Sequence, residues 1–220
     1  MSAFLVVEGH GELEAAHNLI VRLSRENGYD LQWARPRRFP NLHLERGIRK
    51  AAEVIRIEPE VDGMLILRDE DDACPAHTGP AIAACLRALN LPFPAAVVMF
   101  CREYETLFLP CIDLMAGVPL RGNAVERPGL LPGTRFDGDP ESIRGVKEWL
   151  SKHFPRGASY KPTLDQLPLT RMIHFNRLRE SGLPCFGTLE RALRFLAESR
   201  GQGGLVYPKS TDPSTTKVKT

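Results

Sequence analysis

Two short apolar runs in this 220-residue chain each end abruptly on acidic residues. The first, residues 4–7, stops at Glu8, and the second, residues 65–67, leads through one arginine into Asp69-Glu-Asp-Asp72. Neither run alternates polar and apolar residues, which is typical of strands buried on both faces of a parallel sheet. Because sites in open α/β sheets form at strand carboxyl ends where strand order reverses, we expect the two acidic ends to share one crevice.

Helical and strand patterns alternate along the first half of the chain. After Gly9-His10-Gly11, apolar residues recur at helical spacing until Asn27-Gly28. A strand is predicted over 31–34, ended by prolines 36 and 40, and is followed by a helix over 44–57, a strand over 63–67, a helix over 80–89 and a strand over 95–100. This order predicts the α/β class, with a mostly parallel sheet and helices on both faces.

The regular pattern breaks up beyond about residue 110. We therefore divide the chain into an α/β core over 1–112, an irregular insertion over 113–157 and a helical part over 158–200 that completes the domain. The insertion has one predicted helix, from Pro140 to Lys152, and the helical part has two, over 164–179 and 188–199. Gly, Ser, Thr, Pro and Lys dominate residues 201–220, which predicts a flexible tail.

The acids after the second run have the chemistry of a metal site. Asp69 and Asp71 are two residues apart, so in an extended segment their side chains point the same way. Carboxylates held this close usually need a cation between them, and oxygen-only ligands suit Mg²⁺ or Mn²⁺. Glu8 could ligate the same metal or act as general acid/base. The alternative is a solvated surface loop, but the two strand-end positions favour a site.

Four further side chains are candidates for the same crevice. Glu103 and Glu105 follow the strand over 95–100 and could add metal ligands, or one of them could pair with a nearby surface arginine. His10 lies in a glycine-rich turn before a helix, a place where backbone N–H groups can contact phosphate. Lys161 could neutralise a phosphate near the metal. For both His10 and Lys161 the alternative is an ordinary solvated loop side chain.

Charge is distributed unevenly along the chain. Residues 1–150 have 17 Lys/Arg against 22 Asp/Glu, and residues 151–220 have 12 against 5. An acidic body with a basic C-terminal part fits a metal site beside a phosphate-binding flank, and Arg35, Arg37 and Arg38 add a basic group that would contact nucleic acid. Arginine-rich solvated helix faces would give the same balance.

Several other classes of protein lack support in the sequence. No apolar run is long enough for a signal or membrane segment, so we expect a cytoplasmic protein without a membrane partner. The five cysteines show no CxxC spacing and are expected to be reduced thiols. Gly-x-Ser-x-Gly, GxGxxG and the P-loop are all absent, so the chain does not resemble an ATPase itself.

Glu8-Gly-His-Gly-Glu12 after one apolar strand, with Asp69-x-Asp71 after a later one, resembles the Toprim domain of topoisomerases, bacterial primases, small nucleases and OLD-type nucleases. Within that group, the chain most resembles the small stand-alone Toprim-like family called domain of unknown function 4276. The resemblance covers residues 3–110 well and 158–197 loosely. Residues 103–109 resemble the family's third acidic motif.

The resemblance implies roles for individual residues. Glu8 would be the general acid/base, Asp69 and Asp71 would bind Mg²⁺, and Glu105, with Glu103 behind it, would complete the site. The implied activity is metal-dependent hydrolysis of phosphodiester bonds in DNA or RNA. The implied setting is an anti-phage defence effector that works with an ATPase encoded nearby. A topoisomerase or primase role is not supported, because the chain has no strand-gate domain and no zinc-binding module.

Two other functions remain open on the sequence. The first is a catalytically silent Toprim-like adaptor subunit that binds a protein partner or nucleic acid. The second is a metal-dependent phosphotransferase or phosphatase that acts on small molecules, for which the sequence offers no specific pocket. A homo-oligomer is compatible with any of the three.

Overall fold

The computed structural model describes residues 1–122 and 126–209. In chain order, the elements are β1 (Ser2–Val7), α1 (Glu12–Glu26), β2 (Arg37–Arg38), α2 (Glu45–Arg56), β3 (Val61–Glu70), α3 (Pro75–Ala88), β4 (Ala95–Cys101), a 3₁₀ helix (Tyr104–Cys111), α4 (Ile112–Met115), β5 (Leu120–Arg121), β6 (Glu126–Arg127), α5 (Val146–Lys152), α6 (Pro162–Arg171), α7 (Phe175–Glu180), α8 (Pro184–Glu198) and β7 (Val206–Tyr207).

Five of these strands form one parallel sheet in the order β2-β1-β3-β4-β7. The chain places β2 on one side of β1 and then crosses to place β3 on the other side, so strand order reverses between β1 and β3. Carboxyl ends at such a reversal form the ligand crevice of open α/β sheets. The predicted α/β class, with a mostly parallel sheet flanked by helices, is confirmed.

Successive side chains of the central strands are buried on opposite faces of the sheet. One face packs against α1, the 3₁₀ helix and α6–α8, and the other packs against α2 and α3. Because both faces are covered, residues of either parity must be apolar, which explains the unbroken apolar runs in the sequence. Leu5, Val7, Leu65, Leu67, Val98 and Phe100 belong to the first face, and Val6, Met64, Ile66, Val97 and Met99 belong to the second.

The segment predicted as an insertion shares the core of the first face. Besides α5 it contains most of α4 and the antiparallel pair β5–β6. Leu120, Leu130, Val146 and Leu150 are buried in the same cluster as the sheet residues. The segment therefore closes over the sheet edge where the acidic strands end.

The second predicted strand was wrong in position. Residues 31–34 run beside β1 with only an isolated bridge from Trp33 to Ala3, whereas the paired strand β2 lies beyond Pro36. Proline lacks a backbone N–H, but β2 is an edge strand, where a missing donor can face away from the sheet. The edge position explains why Pro36 did not end the pairing.

Four predicted helices have different limits. The helices predicted over 80–89 and 188–199 begin earlier, at Pro75 and Pro184. The helix expected from Pro140 begins at Val146, because Asp139 holds residues 140–142 in a turn: its Oδ1 accepts the Glu141 N–H and its carbonyl accepts the Ser142 hydroxyl. The helix expected over 164–179 is split into α6 and α7. At the break, the Arg22 guanidinium donates to the carbonyls of Thr170 and Ile173, which helix hydrogen bonds would otherwise take.

The prediction of a flexible tail over 201–220 was wrong for the first part of that segment. Val206–Tyr207 forms β7, which pairs with β4 in parallel, and the Val206 side chain is 5% exposed. Burial of Val206 against the second face supplies the free energy that orders this short strand. Residues 210–220 lie outside the described residues.

A pair of glycine substitutions tests the packing of two helices. A Cβ at Gly47 in α2 would overlap the carbonyl oxygen of Asn41, whereas at Gly187 in α8 it would meet only the flexible Arg191 side chain at 3.3 Å. We expect Gly47→Ala to lower the free energy of unfolding by about 1–3 kcal/mol. Gly187→Ala should raise it by about 0.5–1 kcal/mol through helix propensity. Urea unfolding measures both, and a stabilising Gly47→Ala would contradict the packing of α2.

Candidate functional site

The carboxyl ends of β1, β3 and β4 meet at one edge of the sheet, where strand order reverses. Glu8 follows β1, Asp69 is the penultimate residue of β3, and Glu103 and Glu105 follow β4. Register pairing aligns Asp69 with Phe100 near the end of β4. The edge singled out from the sequence therefore has acids from three neighbouring strands.

A sharp turn after β4 brings Glu105 inward beside Asp69. Arg102 takes a left-handed conformation with φ 69°, and the 3₁₀ helix begins two residues later. The Tyr104 backbone N–H donates to Asp69 Oδ1 at 2.7 Å. The fully buried Tyr104 ring packs edge-to-face between two phenylalanine rings, with centroids 5.2 and 5.9 Å away. This aromatic anchor fixes the main chain that positions both carboxylates.

Lys147 of α5 is the cation at the centre of these acids. Its Nζ lies 2.8 Å from Glu103 Oε1, 3.1 Å from Glu105 Oε2 and 3.7 Å from Asp69 Oδ2. The Lys147 backbone N–H also donates to Glu103 Oε2 at 3.1 Å, so Glu103 binds both ends of the residue. The insertion thus supplies the positive charge that the strand ends lack.

Glu105 is fully buried and oriented by two neutral donors. Its Oε1 accepts hydrogen bonds from Tyr160 Oη at 2.8 Å and from Gln166 Nε2 at 3.2 Å. Its Oε2 accepts no hydrogen bond among the described residues and contacts only the Lys147 ammonium. One oxygen of Glu105 is therefore held in place while the other stays available to a cation.

Glu12 joins the cluster from the first turn of α1. Its Oε2 accepts the Gly9 N–H at 3.4 Å, which folds the Gly9–Gly11 turn back over the helix start. A Cβ at Gly11 would overlap Gln166 Oε1 and lie 2.8 Å from the Pro162 carbonyl oxygen. A glycine is needed at residue 11 because α6 approaches this closely.

The charge balance of the cluster raises several pKa values. Burial, together with repulsion from Glu12 and Glu105, raises the pKa of Asp69 well above its usual range. Burial likewise raises the pKa values of Glu12 and Glu105. Burial disfavours the charge of Lys147, but attraction from Glu105 and Asp69 outweighs it and raises the pKa of Lys147. Four carboxylates, including Glu103, thus share a single lysine, which leaves negative charge uncompensated.

Two of the predicted metal ligands lie outside this cluster. Glu8 is half-buried, and its Oε1 faces His43 Nδ1 at 3.2 Å. Asp71 is exposed; its backbone carbonyl accepts a hydrogen bond from Arg102, and its side chain has no hydrogen bond or ion pair with another described residue. The chain bends immediately after Glu70, so Asp69 and Asp71 are not in one extended segment and their side chains do not converge. The extended geometry assumed for this pair was wrong.

His10 and Lys161 are both exposed, and neither side chain contacts another described residue. Lys161 precedes α6, and its backbone N–H donates to Asp165 Oδ2 at 2.7 Å. The structure thus places Lys147, rather than Lys161, next to the carboxylates.

The three arginines expected to contact nucleic acid differ in the contacts that they make. Arg35 is exposed and has no partner among the described residues, Arg37 pairs with Glu58 at 2.7 Å, and Arg38 donates to the Glu8 carbonyl at 3.0 Å. Three arginines of the basic C-terminal part form ion pairs within the molecule. The ion pairs concerned are Arg177–Asp113, Arg179–Glu26, Arg179–Glu190, Arg200–Asp30 and Arg200–Asp62.

Sequence reasoning missed the roles of Glu12 and Lys147. Glu12 closes the Glu8-Gly-His-Gly-Glu12 motif, and its spacing of four from Glu8 at a helix start was a usable signal. Lys147 lies in a short, ordinary amphipathic helix. Only the tertiary packing of α5 on the 3₁₀ helix identifies it.

The donor chemistry of the cluster fits a hard divalent cation, with Asp69 and Glu105 as the carboxylates that would hold it and Glu12 beside them. In the part of the chain that the structure describes, no group of three His, Cys, Asp or Glu side chains is arranged, as it stands, so that it could hold a metal ion. The Lys147 ammonium takes the central place between the carboxylates. A third of that side chain is exposed, and a cation bound between the carboxylates would have to displace the ammonium.

Comparison with known families assigns the chain to one of them. The family model described as domain of unknown function (DUF4276) matches residues 7–194. The chain belongs to that family. The match includes Glu12, Asp69, Glu105 and Lys147. No curated protein and no solved structure matches the chain. Among residues 1–122 and 126–209, no helix of this DUF4276 protein is long and apolar enough to cross a membrane.

The raised pKa of Asp69 predicts a pH-dependent effect of its removal. The folded state binds this proton more tightly than the unfolded state, so wild-type stability falls as pH rises from the usual value of 3.8 through the raised pKa. In EDTA, we expect Asp69→Asn to be more stable than wild type by about 0.5–2 kcal/mol near neutral pH. The difference should vanish near about pH 4.

Thermal unfolding across this pH range measures the effect. Asp71→Asn is the matched control, because it removes an exposed acid two residues away and should leave stability unchanged at every pH. An Asp69→Asn protein less stable than wild type at neutral pH would contradict the assignment of uncompensated charge to the cluster.

Proposed function

We propose that this protein is a nuclease that hydrolyses phosphodiester bonds in DNA or RNA with a bound divalent cation, Mg²⁺ or Mn²⁺. The observation that carries the proposal is the group of buried carboxylates, with raised pKa values, that shares one lysine where strand order reverses. The Toprim-like pattern of Glu8-Gly-His-Gly-Glu12 and Asp69 supports the same chemistry.

Each side chain of the cluster has a role in this reaction. Asp69 and Glu105 would hold the cation, and Tyr160 and Gln166 keep the Glu105 carboxylate oriented. When bound, such a cation polarises a phosphoryl oxygen and lowers the pKa of a bound water. Lys147 brings three N–H donors within reach of a phosphoryl oxygen. Glu12 holds its proton to a higher pH than an ordinary glutamate, which suits a general acid for the leaving oxygen.

The role of general acid/base, expected for Glu8, moves to Glu12 in this proposal. Glu8 faces His43 and Arg38 at the outer rim, whereas Glu12 is coupled electrostatically to Asp69 and Glu105. We expect Glu12→Gln to cost more activity than Glu8→Gln. The reverse order would reassign the role to Glu8.

A cleavage assay tests the proposed function. Purified protein is incubated with single- and double-stranded DNA and with RNA, in Mg²⁺, Mn²⁺ or EDTA. We expect metal-dependent cleavage that Asp69→Asn and Glu105→Gln each reduce by about 100-fold or more. Asp71→Asn should retain wild-type activity, because its side chain lies outside the cluster. Equal activity in Asp69→Asn and Asp71→Asn would rule out the assigned site.

The second candidate is a catalytically silent adaptor subunit. The observation in its favour is that Lys147 already pairs with three of the carboxylates, so the cluster can be stable without a cation. The resemblance further suggests an ATPase partner, encoded nearby, that gates the protein in anti-phage defence. Repeating the cleavage assay with that ATPase separates a gated nuclease, which becomes active, from an adaptor, which does not.

A further inference from the structure

A cleft of about 830 Å³ opens beside the acidic cluster, between α1, α6 and the segment 35–38. Two of its lining residues are adjacent in sequence to residues of the site. Leu13, which lines the cleft, follows Glu12 in α1, and Leu167, which lines the opposite wall, follows Gln166 in α6. A nucleic-acid strand lying in this cleft would therefore contact α1 and α6, the helices that carry Glu12 and Gln166.

The cleft has the charge of an anion-binding surface. Four arginines line it, namely Arg35, Arg37, Arg38 and Arg171, and Glu14 is the one acid among its lining residues. The side chains of Arg35 and Arg171 are exposed and have no hydrogen bond or ion pair with another described residue. Their guanidinium groups are free to make bidentate contacts with phosphate. Arg171 was not among the arginines selected from the sequence.

Two polar atoms in the α1 wall have unmet hydrogen-bonding capacity. His17 Nε2 and Asn18 Oδ1 are buried and have no partner among the described residues. Burial also lowers the pKa of His17 and outweighs the opposing hydrogen bond with the Trp33 backbone, so the ring is neutral and its Nε2 can take part in one further hydrogen bond. Around them, Leu13, Val21, Leu167 and Pro36 give the cleft apolar walls. The arginines at the rim match the phosphate of a nucleotide, the apolar walls match its sugar, and the two polar atoms match the edge of its base.

We propose that this cleft binds a single-stranded segment of the nucleic acid and delivers its adjoining phosphodiester to the acidic cluster, an inference that rests on the proposed function. Arg35 and Arg171 contact phosphates, and His17 and Asn18 contact base edges. A flexible strand can bend into a concave site walled by two helices. A duplex presents its phosphates on a stiff convex surface and cannot enter it.

Fluorescence anisotropy in EDTA tests the cleft without hydrolysis. The probes are labelled DNA and RNA strands of about twelve nucleotides, the matched duplexes, and unlabelled AMP as competitor, at about 50 and 200 mM salt. The test variant is Arg35→Gln with Arg171→Gln. The control is Lys50→Gln with Arg56→Gln, which removes the same charge from two exposed, unpaired residues of α2, on the other face of the sheet.

We expect the test variant to bind single strands about tenfold or more weakly than wild type, with the slope of log K against log salt reduced by about 1.4, as for two lost phosphate contacts. The control should bind like wild type, and duplexes should bind more weakly than single strands. Equal losses in test and control variants would overturn the cleft assignment. Equal binding of duplex, or displacement by AMP as efficient as by a strand, would overturn the single-strand assignment.

The outcome is separable from that of the cleavage assay. Arginine-dependent strand binding by a protein that cleaves nothing, either alone or with the ATPase, would support the cleft and contradict the nuclease proposal. Metal-dependent cleavage by a protein whose strand binding does not depend on Arg35 and Arg171 would support the nuclease proposal and contradict the cleft.

Discussion

The contact of one lysine with three carboxylates ties this structure together. Lys147 joins the insertion to the ends of β3 and β4 through Asp69, Glu103 and Glu105. Buried like charges are tolerated only with a cation among them, so the insertion is required for the sheet edge to keep its acids. Because one positive charge cannot balance four carboxylates, the cluster keeps excess negative charge, which a divalent cation would neutralise.

Contacts made by uncharged groups hold the charged side chains of the cluster in position. The Tyr104 ring anchors the turn after β4, and its N–H orients Asp69. Close approach of α6 to the Gly9–Gly11 turn places Gln166 against Glu105. These contacts hold the two carboxylates in place, and such preorganisation is what the proposed hydrolytic site would require.

The sequence predicted which edge of the sheet has the acidic residues, but it predicted only some of the side chains that meet there. Residues 4–7 and 65–67 lack alternation because both faces of the sheet are covered, so the parallel strands and their acidic ends were readable from local pattern. Asp71 was misplaced because β3 ends at Glu70 and the chain bends over residues 71–73, so the extended geometry stops before Asp71. Lys147 was unreadable, since its role comes from packing between segments distant in sequence, which no local pattern encodes.

Binding of Mn²⁺ tests most directly the claim that the Lys147 cluster is a divalent-cation site. Electron paramagnetic resonance of free Mn²⁺ gives binding isotherms for wild type, Asp69→Asn, Asp71→Asn and Lys147→Gln. The account predicts saturable binding by wild type and Asp71→Asn, its loss in Asp69→Asn, and tighter binding by a folded Lys147→Gln protein, which lacks the competing ammonium. Identical isotherms for Asp69→Asn and Asp71→Asn, or no saturable binding to any of the four, would contradict it.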